Sequence, residues 1–271
     1  MIRGLTFLGC DGSRFESIDQ LVIEGSDFLG QNNSQTALSI SESSVNISET
    51  TFLSNTGAAS KGGALSVSNS SVGIDGCSFE GNMAKSGGVI YFEYESTITI
   101  HNSTFTSNRA SGCDREGAAQ CSNNGGAIYI NGSGSIVSIN GSTFQNNSCT
   151  GDGGVAYAFN ATLTVSQSIA YNNSATSQGG FVYATRSSAI TVTDDCSIIH
   201  NKADSDGGAL ALEGNSMAII GKSTFDKNKV EGSGGMVFAQ NRSSVTIEDS
   251  IFTKTSLSRM EELHTFKMML P

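Results

Sequence analysis

Two adjacent carboxylates, Asp194 and Asp195, are the residues of this chain whose types and spacing best suit acid–base chemistry. A pair of carboxylic acids can split a glycosidic bond, with one side chain acting as the acid and the other as the base or nucleophile. The nearest imidazole is His200, and no Gly-His-Gly or Arg-x-Lys sequence is present to grip an acidic sugar. We interpret the two aspartates as solvent-facing turn residues, and the sequence identifies no catalytic residue.

A calcium site would need several oxygen ligands from carboxylates and carbonyls. Asp152, Asp204 and Asp206 are candidates because each lies close to a Gly-Gly pair. Lyase chemistry with calcium would also need an arginine base, and Arg186 and Arg242 have no acids in matching register. The residue directly before Gly-Gly changes from copy to copy: Lys61, Ser86, Asn124, Asp152, Gln178, Asp206 and Ser233. Because this column has no repeated ligand, we predict no metal site. The sequence also contains no glycine-rich phosphate-binding loop, so we predict no cofactor.

The chain has six cysteines and no Cys-x-x-Cys pair. Cys113 and Cys121 flank an insertion where a loop-closing disulfide is geometrically easy, and Cys149 in the following repeat is an alternative partner. Such a bridge requires an oxidising compartment. Cys77 and Cys196 occupy equivalent places about four repeats apart, too far for a bond at ~4.8 Å per stacked strand, so we predict buried free thiols.

Ten Asn-x-Ser/Thr sequences could accept N-linked glycans. Four of them are predicted to share one bend and to form an outward column: Asn69, Asn131, Asn160 and Asn241. Two interpretations stay open, because these asparagines could carry glycans in a eukaryote or could simply favour that turn. The other six are Asn32, Asn46, Asn102, Asn140, Asn146 and Asn172.

The elements that must position these residues are copies of a repeat of about 27 residues. Seven Gly-Gly pairs mark it: Gly62-Gly63, Gly87-Gly88, Gly125-Gly126, Gly153-Gly154, Gly179-Gly180, Gly207-Gly208 and Gly234-Gly235. A second motif recurs with the same period, an apolar anchor residue followed three residues later by Asn. Its copies are Phe52/Asn55, Phe79/Asn82, Phe105/Asn108, Phe144/Asn147, Ile169/Asn172, Ile198/Asn201 and Phe225/Asn228. A short strand of alternating polarity, such as Val72-x-Ile74, precedes each anchor and indicates one buried face.

A unit this short, with no helical stretch, cannot bury its apolar face alone, so successive copies must stack with each strand pairing in parallel to its equivalent one repeat on. The sequence therefore predicts an all-β, right-handed, single-stranded parallel β-helix of about eight to ten coils. Valine and isoleucine ladders and the phenylalanine anchors would fill the core. We expect looser N-terminal coils over 1–44, a repeat domain over 45–256 and a non-repeat tail over 257–271 that could cap the last coil.

Composition agrees with this interpretation. The chain has 32 glycines but one proline and no tryptophan, which favours turn-rich β-structure over helices. Its 15 basic and 25 acidic residues give a formal net charge of −10, so a nucleic acid would be repelled. No stretch approaches the ~20 apolar residues of a membrane-spanning helix. Because the first residues fall partway through a repeat, we expect a fragment of a longer protein.

The alternation of Gly-Gly-Ala-Ile/Leu with Phe-x-x-Asn resembles the polymorphic outer-membrane protein repeat of chlamydial surface autotransporters. The resemblance is carried by Gly62-Gly63-Ala64-Leu65, Gly125-Gly126-Ala127-Ile128 and Gly207-Gly208-Ala209-Leu210, with the five Phe-x-x-Asn pairs, and covers about residues 45–255. In four copies, which begin at Gly87, Gly153, Gly179 and Gly234, the Ala is replaced.

The resemblance implies an exposed, adhesin-like or passenger-like stalk, extracellular or at the cell surface, in the outer membrane if bacterial. We therefore expect a non-catalytic protein, a glycoprotein if the asparagines above carry glycans, that binds a cell, matrix or glycan partner. It should take no small-molecule cofactor and meet a membrane only through parts outside this chain. The alternative is a polysaccharide-active enzyme similar to pectate lyases or polygalacturonases, since β-helices often host that chemistry.

Overall fold

The computed structural model describes residues 1–31, 35–112, 123–232 and 234–253, without the side chains of 58–60. All the secondary structure in these ranges is β-strand, arranged in four parallel sheets that run the length of the molecule. The chain visits sheets I, II, III and IV in turn and then begins the next coil. The predicted parallel β-helix is confirmed.

The strands of sheet I are Ser13–Glu16, Leu38–Ser41, Leu65–Ser68, Ile90–Glu93, Ile128–Asn131, Ala156–Phe159, Val182–Thr185, Leu210–Leu212 and Val237–Ala239. Those of sheet II are Ile2–Arg3, Leu21–Glu24, Ser44–Ser48, Ser71–Asp75, Thr97–His101, Ile136–Asn140, Thr162–Ser166, Ala189–Thr193, Met217–Gly221 and Ser244–Glu248. Those of sheet III are Thr6–Leu8, Asp27–Leu29, Thr51–Leu53, Ser78–Glu80, Thr104–Thr106, Thr143–Gln145, Ile169–Tyr171, Ser197–Ile199, Thr224–Asp226 and Ile251–Thr253. Those of sheet IV are Thr56–Lys61, Met83–Ser86, Arg109–Ala110, Ser148–Cys149, Ser174–Ala175, Lys202–Ala203 and Lys229–Val230.

Equivalent residues of successive coils pair directly, so side chains of one kind stack in columns. Phe79 pairs with Phe105, which pairs with Phe144. Their rings belong to a continuous stack with centroids 4.6 to 5.0 Å apart, formed by Phe7, Phe28, Phe52, Phe79, Phe105 and Phe144. The stack begins within residues 1–44, whose strands already belong to sheets I, II and III. Residues 257–271, the predicted cap, lie outside the described residues.

The predicted pair Ile169/Asn172 is wrong by one residue. Ala170 pairs with Phe144 and takes the anchor position, whereas the Ile169 side chain is 47% exposed. Asn173, not Asn172, lies in the buried asparagine column. The cause is that two consecutive asparagines follow a strand whose anchor is only alanine, so the spacing rule selected the larger but outward-facing isoleucine.

A buried asparagine column joins the coils where sheet III turns toward sheet IV. The Asn108 side-chain oxygen accepts hydrogen bonds from the backbone N and the Nδ2 of Asn82, at 2.9 and 3.0 Å. Its Nδ2 donates to the Phe79 carbonyl at 3.0 Å and to Asn147 Oδ1 at 2.9 Å. The same pattern repeats along a column whose members are all buried: Asn55, Asn82, Asn108, Asn147, Asn173, Asn201 and Asn228. The amide of each member from Asn55 to Asn201 thus links three coils.

The second glycine of each Gly-Gly pair lies where backbones from three segments meet. A Cβ on Gly126 would approach the Gly154 carbonyl oxygen to 2.1 Å and the Ser148 backbone to 2.9 Å. Gly63, Gly88, Gly154 and Gly180 face equivalent backbone carbonyls of the next coil. Only a residue without Cβ lets sheet IV and the start of sheet I approach this closely.

Asn108→Ala is expected to lower the free energy of unfolding by about 2–4 kcal/mol, because it leaves buried donors and acceptors on the neighbouring coils without partners. Urea unfolding measures the change. Asn46→Ala is the matched control, since Asn46 is exposed on a strand of sheet II; it should change the value by no more than about 0.5 kcal/mol. Equal effects of the two substitutions would contradict the ladder's role.

Gly126→Ala is expected to cost about 3 kcal/mol or more, because the added methyl group meets backbone atoms that cannot rotate away. Gly221→Ala is the control: its Cβ would meet only Thr193 Oγ1, at 3.6 Å. This second change should be neutral or slightly stabilising, since alanine restricts the unfolded chain. Thermal unfolding of both variants checks the difference, and a Gly126→Ala protein as stable as wild type would refute the packing argument.

Candidate functional site

The two aspartates singled out in the sequence lie at the corner between sheets II and III, each with a left-handed backbone, φ 54° at Asp194 and 63° at Asp195. The Asp194 carbonyl accepts a hydrogen bond from Gln167 N, and Asp195 N donates to the Lys222 carbonyl. His200 lies at the next corner, beyond the strand Ser197–Ile199, and its ring contacts Tyr171. A three-residue strand spans about 10 Å. The structure therefore places these carboxylates and the imidazole at different corners.

The residues before Gly-Gly form a polar column with a structural role. Asn124 Oδ1 accepts a hydrogen bond from Asp152 N at 2.8 Å, and Asp152 Oδ1 accepts one from Gln178 N at 3.1 Å. Each side-chain oxygen thus binds the backbone of the next coil. Lys202 forms ion pairs with Asp204 and Glu231 at the surface. Within the described ranges of the chain, no group of three or more His, Cys, Asp or Glu could hold a metal ion.

Burial raises the pKa of Asp152, against the opposing effect of hydrogen bonds from Ser177 and from Gln178 N. A carboxyl with a raised pKa in the folded state favours folding when it is protonated. Its contribution is therefore complete below the unfolded value of about 3.9 and is lost as the pH rises through the folded value.

The outer face of sheet I carries a column of stacked tyrosines that the sequence analysis missed. Tyr91, Tyr129, Tyr157 and Tyr183 stack with ring centroids 4.8 to 5.3 Å apart. Burial raises the pKa of Tyr129 to about 12 and raises that of the other three phenols as well. The signal was present, because each tyrosine stands four residues after the first glycine of its Gly-Gly pair.

The ends of this column are held by charged groups. The Lys61 ammonium lies 4.5 Å from the centre of the Tyr91 ring and 3.5 Å from Glu93 Oε2. At the other end the Tyr183 hydroxyl donates to Glu213 Oε2 at 2.6 Å. Because the rings cover one another's faces, Tyr91, Tyr157 and Tyr183 are buried and Tyr129 is partly buried.

Beside the last tyrosines, an open pocket lies where sheet I turns toward sheet II. Its cavity measures about 810 Å³. The lining combines an aromatic ring, a cation, a carboxylate and two amides: Phe159, Arg186, Glu213, Asn160 and Asn241, with Gly214 at its floor. Such a mixture of groups suits a polar ligand with some apolar surface.

The predicted sequon column needs one correction. Asn69, Asn160 and Asn241 are exposed and have left-handed backbone at the bend after sheet I, with φ of 46° to 53°. Asn131 is instead the last residue of its strand and pairs with Phe159, one position before Asn160. The longer bend in that coil, with Gly132 and Gly134, shifts the asparagine back into the sheet. Asn32 lies outside the described residues.

The cysteines divide into described and undescribed groups. Cys77 and Cys196 are buried free thiols, and burial raises their pKa, to about 11 at Cys77. Cys149 is also free and buried, packed against Ala110 and Ala175 under sheet IV. The structure shows no bond at Cys149, and both of its candidate partners fall on residues that are not described. Cys113 and Cys121 lie outside the described residues, so their bridge stays a prediction.

Comparison with known families agrees with this geometry. The model of the family described as "Right handed beta helix region" matches residues 1–195, and the chain belongs to that family. The family supplies the right-handed sense of the helix predicted from the repeat. Searches of curated proteins and of solved structures gave no significant match. Among the described residues, no helix is long and apolar enough to cross a membrane.

Asp152→Asn is expected to be more stable than wild type at pH 7 and equally stable at pH 3, because the amide keeps the acceptor for Gln178 N without a buried charge. Asn124 already supplies such an acceptor in the preceding coil. Urea unfolding at several pH values measures the difference. Asp249→Asn, at an exposed turn, should follow the wild-type profile. A constant offset for Asp152→Asn at every pH would contradict the argument.

Proposed function

We propose that this chain is a non-catalytic, adhesin-like or passenger-like β-helix protein, extracellular or at the cell surface, that binds cell, matrix or glycan partners. The proposal draws first on the repeat. The Gly-Gly-Ala and Phe-x-x-Asn motifs resemble those of the polymorphic outer-membrane proteins, and five copies of the second motif fall in register in one core column. Fold membership by itself would not assign a function.

The observation that carries the proposal is the regularity of the outer faces of sheets II and III. Their outward side chains are mostly short and polar, and they repeat in columns along ten strands of each sheet. Exposed apolar side chains lie among them: Ile136, Met217 and Ile219 on sheet II, and Leu8, Leu53, Ile169, Tyr171 and Ile251 on sheet III. A face of this mixed composition can serve as a protein interface, because protein interfaces are on the whole about as apolar as the rest of a protein's surface.

The alternative, an enzyme acting on acidic polysaccharide, would draw on carboxylates and a base that meet in one groove. Asp194, Asp195 and His200 occupy two corners, and the aspartates' backbones are held by the adjoining coils. The positions of Asp194 and Asp195 support the interpretation that both are structural residues of a turn.

Purified chain is expected to bind immobilised cells or extracellular matrix saturably and to leave pectin and polygalacturonate intact, with or without calcium. Binding is read by surface plasmon resonance and turnover by product chromatography. Asp194→Asn and Asp195→Asn serve as matched variants, since asparagine tolerates left-handed backbone, and both should bind as wild type does. Turnover that these two variants lose would refute the proposal, and so would the absence of binding to every surface.

A further inference from the structure

The pocket between sheets I and II includes one bend position that lacks a side chain, Gly214. Four successive coils place Asn160, Arg186, Gly214 and Asn241 at the first residue of this bend, all with positive φ. The glycine leaves a gap between an arginine on one side and an asparagine on the other. A Cβ at Gly214 would lie 3.2 Å from Arg186 N and 3.4 Å from Thr185 Oγ1. The backbone of the Arg186 coil therefore borders the gap on one side.

A fixed acceptor stands at one side of the gap. Glu213 is half-buried, and its two carboxylate oxygens accept hydrogen bonds from the Tyr183 hydroxyl at 2.6 Å and from Asn241 Nδ2 at 2.8 Å. Each oxygen has a second lone pair for another donor. A carboxylate held in this way can accept hydrogen bonds from vicinal hydroxyl groups without losing side-chain entropy on binding.

An unpaired cation stands at the other side. The Arg186 guanidinium carbon lies 5.9 Å from the centre of the Phe159 ring, and the arginine is exposed. Across the ranges that the structure describes, Arg186 makes no ion pair. Arginine binds carboxylates through two parallel hydrogen bonds, and the ring below it offers an apolar surface to the C–H groups of a ligand.

We propose that this pocket binds a saccharide that carries a single carboxylate. Arg186 binds the carboxylate, Glu213 accepts from sugar hydroxyls, and Asn160 and Asn241 border the ligand. The proposal deepens the proposed function by naming a chemical class of partner, and it rests on that function. A net charge of −10 disfavours polyanions, so the ligand is a terminal acidic sugar and not a long polyuronate.

Isothermal titration of the chain with sialyllactose, lactose and trigalacturonate tests the proposal. We expect sialyllactose to bind at least about tenfold more tightly than lactose, since lactose lacks the carboxylate that Arg186 binds. Trigalacturonate should bind more weakly than sialyllactose. Equal affinity for sialyllactose and lactose overturns the assignment of Arg186, and tightest binding of trigalacturonate overturns the assignment to a terminal acidic sugar.

Three variants locate the binding. Arg186→Gln should abolish the preference for sialyllactose over lactose, and Gly214→Asn should weaken both by about tenfold or more, because an asparagine side chain fills the gap. Asn160 and Asn241 show that asparagine adopts this backbone, and thermal unfolding checks that each variant folds. Arg242→Gln is the control, since Arg242 is an exposed bend residue outside the pocket lining, and it should bind as wild type does. Unchanged binding in the first two variants overturns the proposal.

The same variants separate this inference from the proposed function. If wild type binds cells or matrix but no saccharide, the pocket assignment fails and the surface-binding function stands. If wild type binds sialyllactose through the pocket but binds no cell or matrix surface, the cell-binding and matrix-binding part of the function fails, and the pocket assignment with its glycan partner stands. Loss of cell or matrix binding in Arg186→Gln and Gly214→Asn, with Arg242→Gln unaffected, supports both.

Discussion

The structure depends on side-chain oxygens that bind backbone N–H groups at its corners. A coil that turns four times leaves donors outside the sheets, and a buried donor without a partner costs about as much as a lost hydrogen bond. Here the corner residue of the next coil supplies the acceptor. Asn108 Oδ1 does so for Asn82 N, Ser142 Oγ for Ser103 N and Ser216 Oγ for Ser188 N. In the column of residues that precede Gly-Gly, the acceptor comes from the preceding coil instead: Asn124 Oδ1 accepts from Asp152 N, and Asp152 Oδ1 accepts from Gln178 N.

These ladders explain which positions are constrained and which are free. Inward valines, isoleucines and phenylalanines fill the core, and the corner asparagines and serines must keep an acceptor at one fixed height. Cys77 and Cys196 show the tolerance at one corner, since each thiol takes a serine position and donates to a backbone carbonyl of the preceding coil, Ile47 or Val165. Outward side chains are not required to fill the core or to accept these hydrogen bonds. Any recognition surface must therefore be built from them and from bends of variable length.

The sequence predicted the architecture because its two strongest signals are the two strictest requirements. Glycine is needed where a Cβ would strike backbone, as at Gly126, and asparagine is needed to donate and accept along the column. The prediction was wrong at Ile169 because alanine fills the anchor position there and a doubled asparagine hides the shift. The serine ladders were not predicted, because serine is common at every turn of this chain and its spacing alone does not distinguish a buried hydroxyl.

The candidate pocket could not be predicted for a different reason, which is that it arises from unlike residues in one column. A column of identical acids would place carboxylates about 4.8 Å apart, where like charges repel by roughly 1 kcal/mol even in water. A β-helix can therefore bring unlike functional groups together in two ways. The groups come from different columns, or the residue in one column changes from coil to coil. Arg186, Gly214 and Asn241 follow the second route. Phe159, at the end of its strand, and Glu213, directly after its strand, add an apolar and an acidic group to the same pocket. Because the ladders keep the backbone of these coils in place, the position that has no side chain at Gly214 stays open between Arg186 and Asn241.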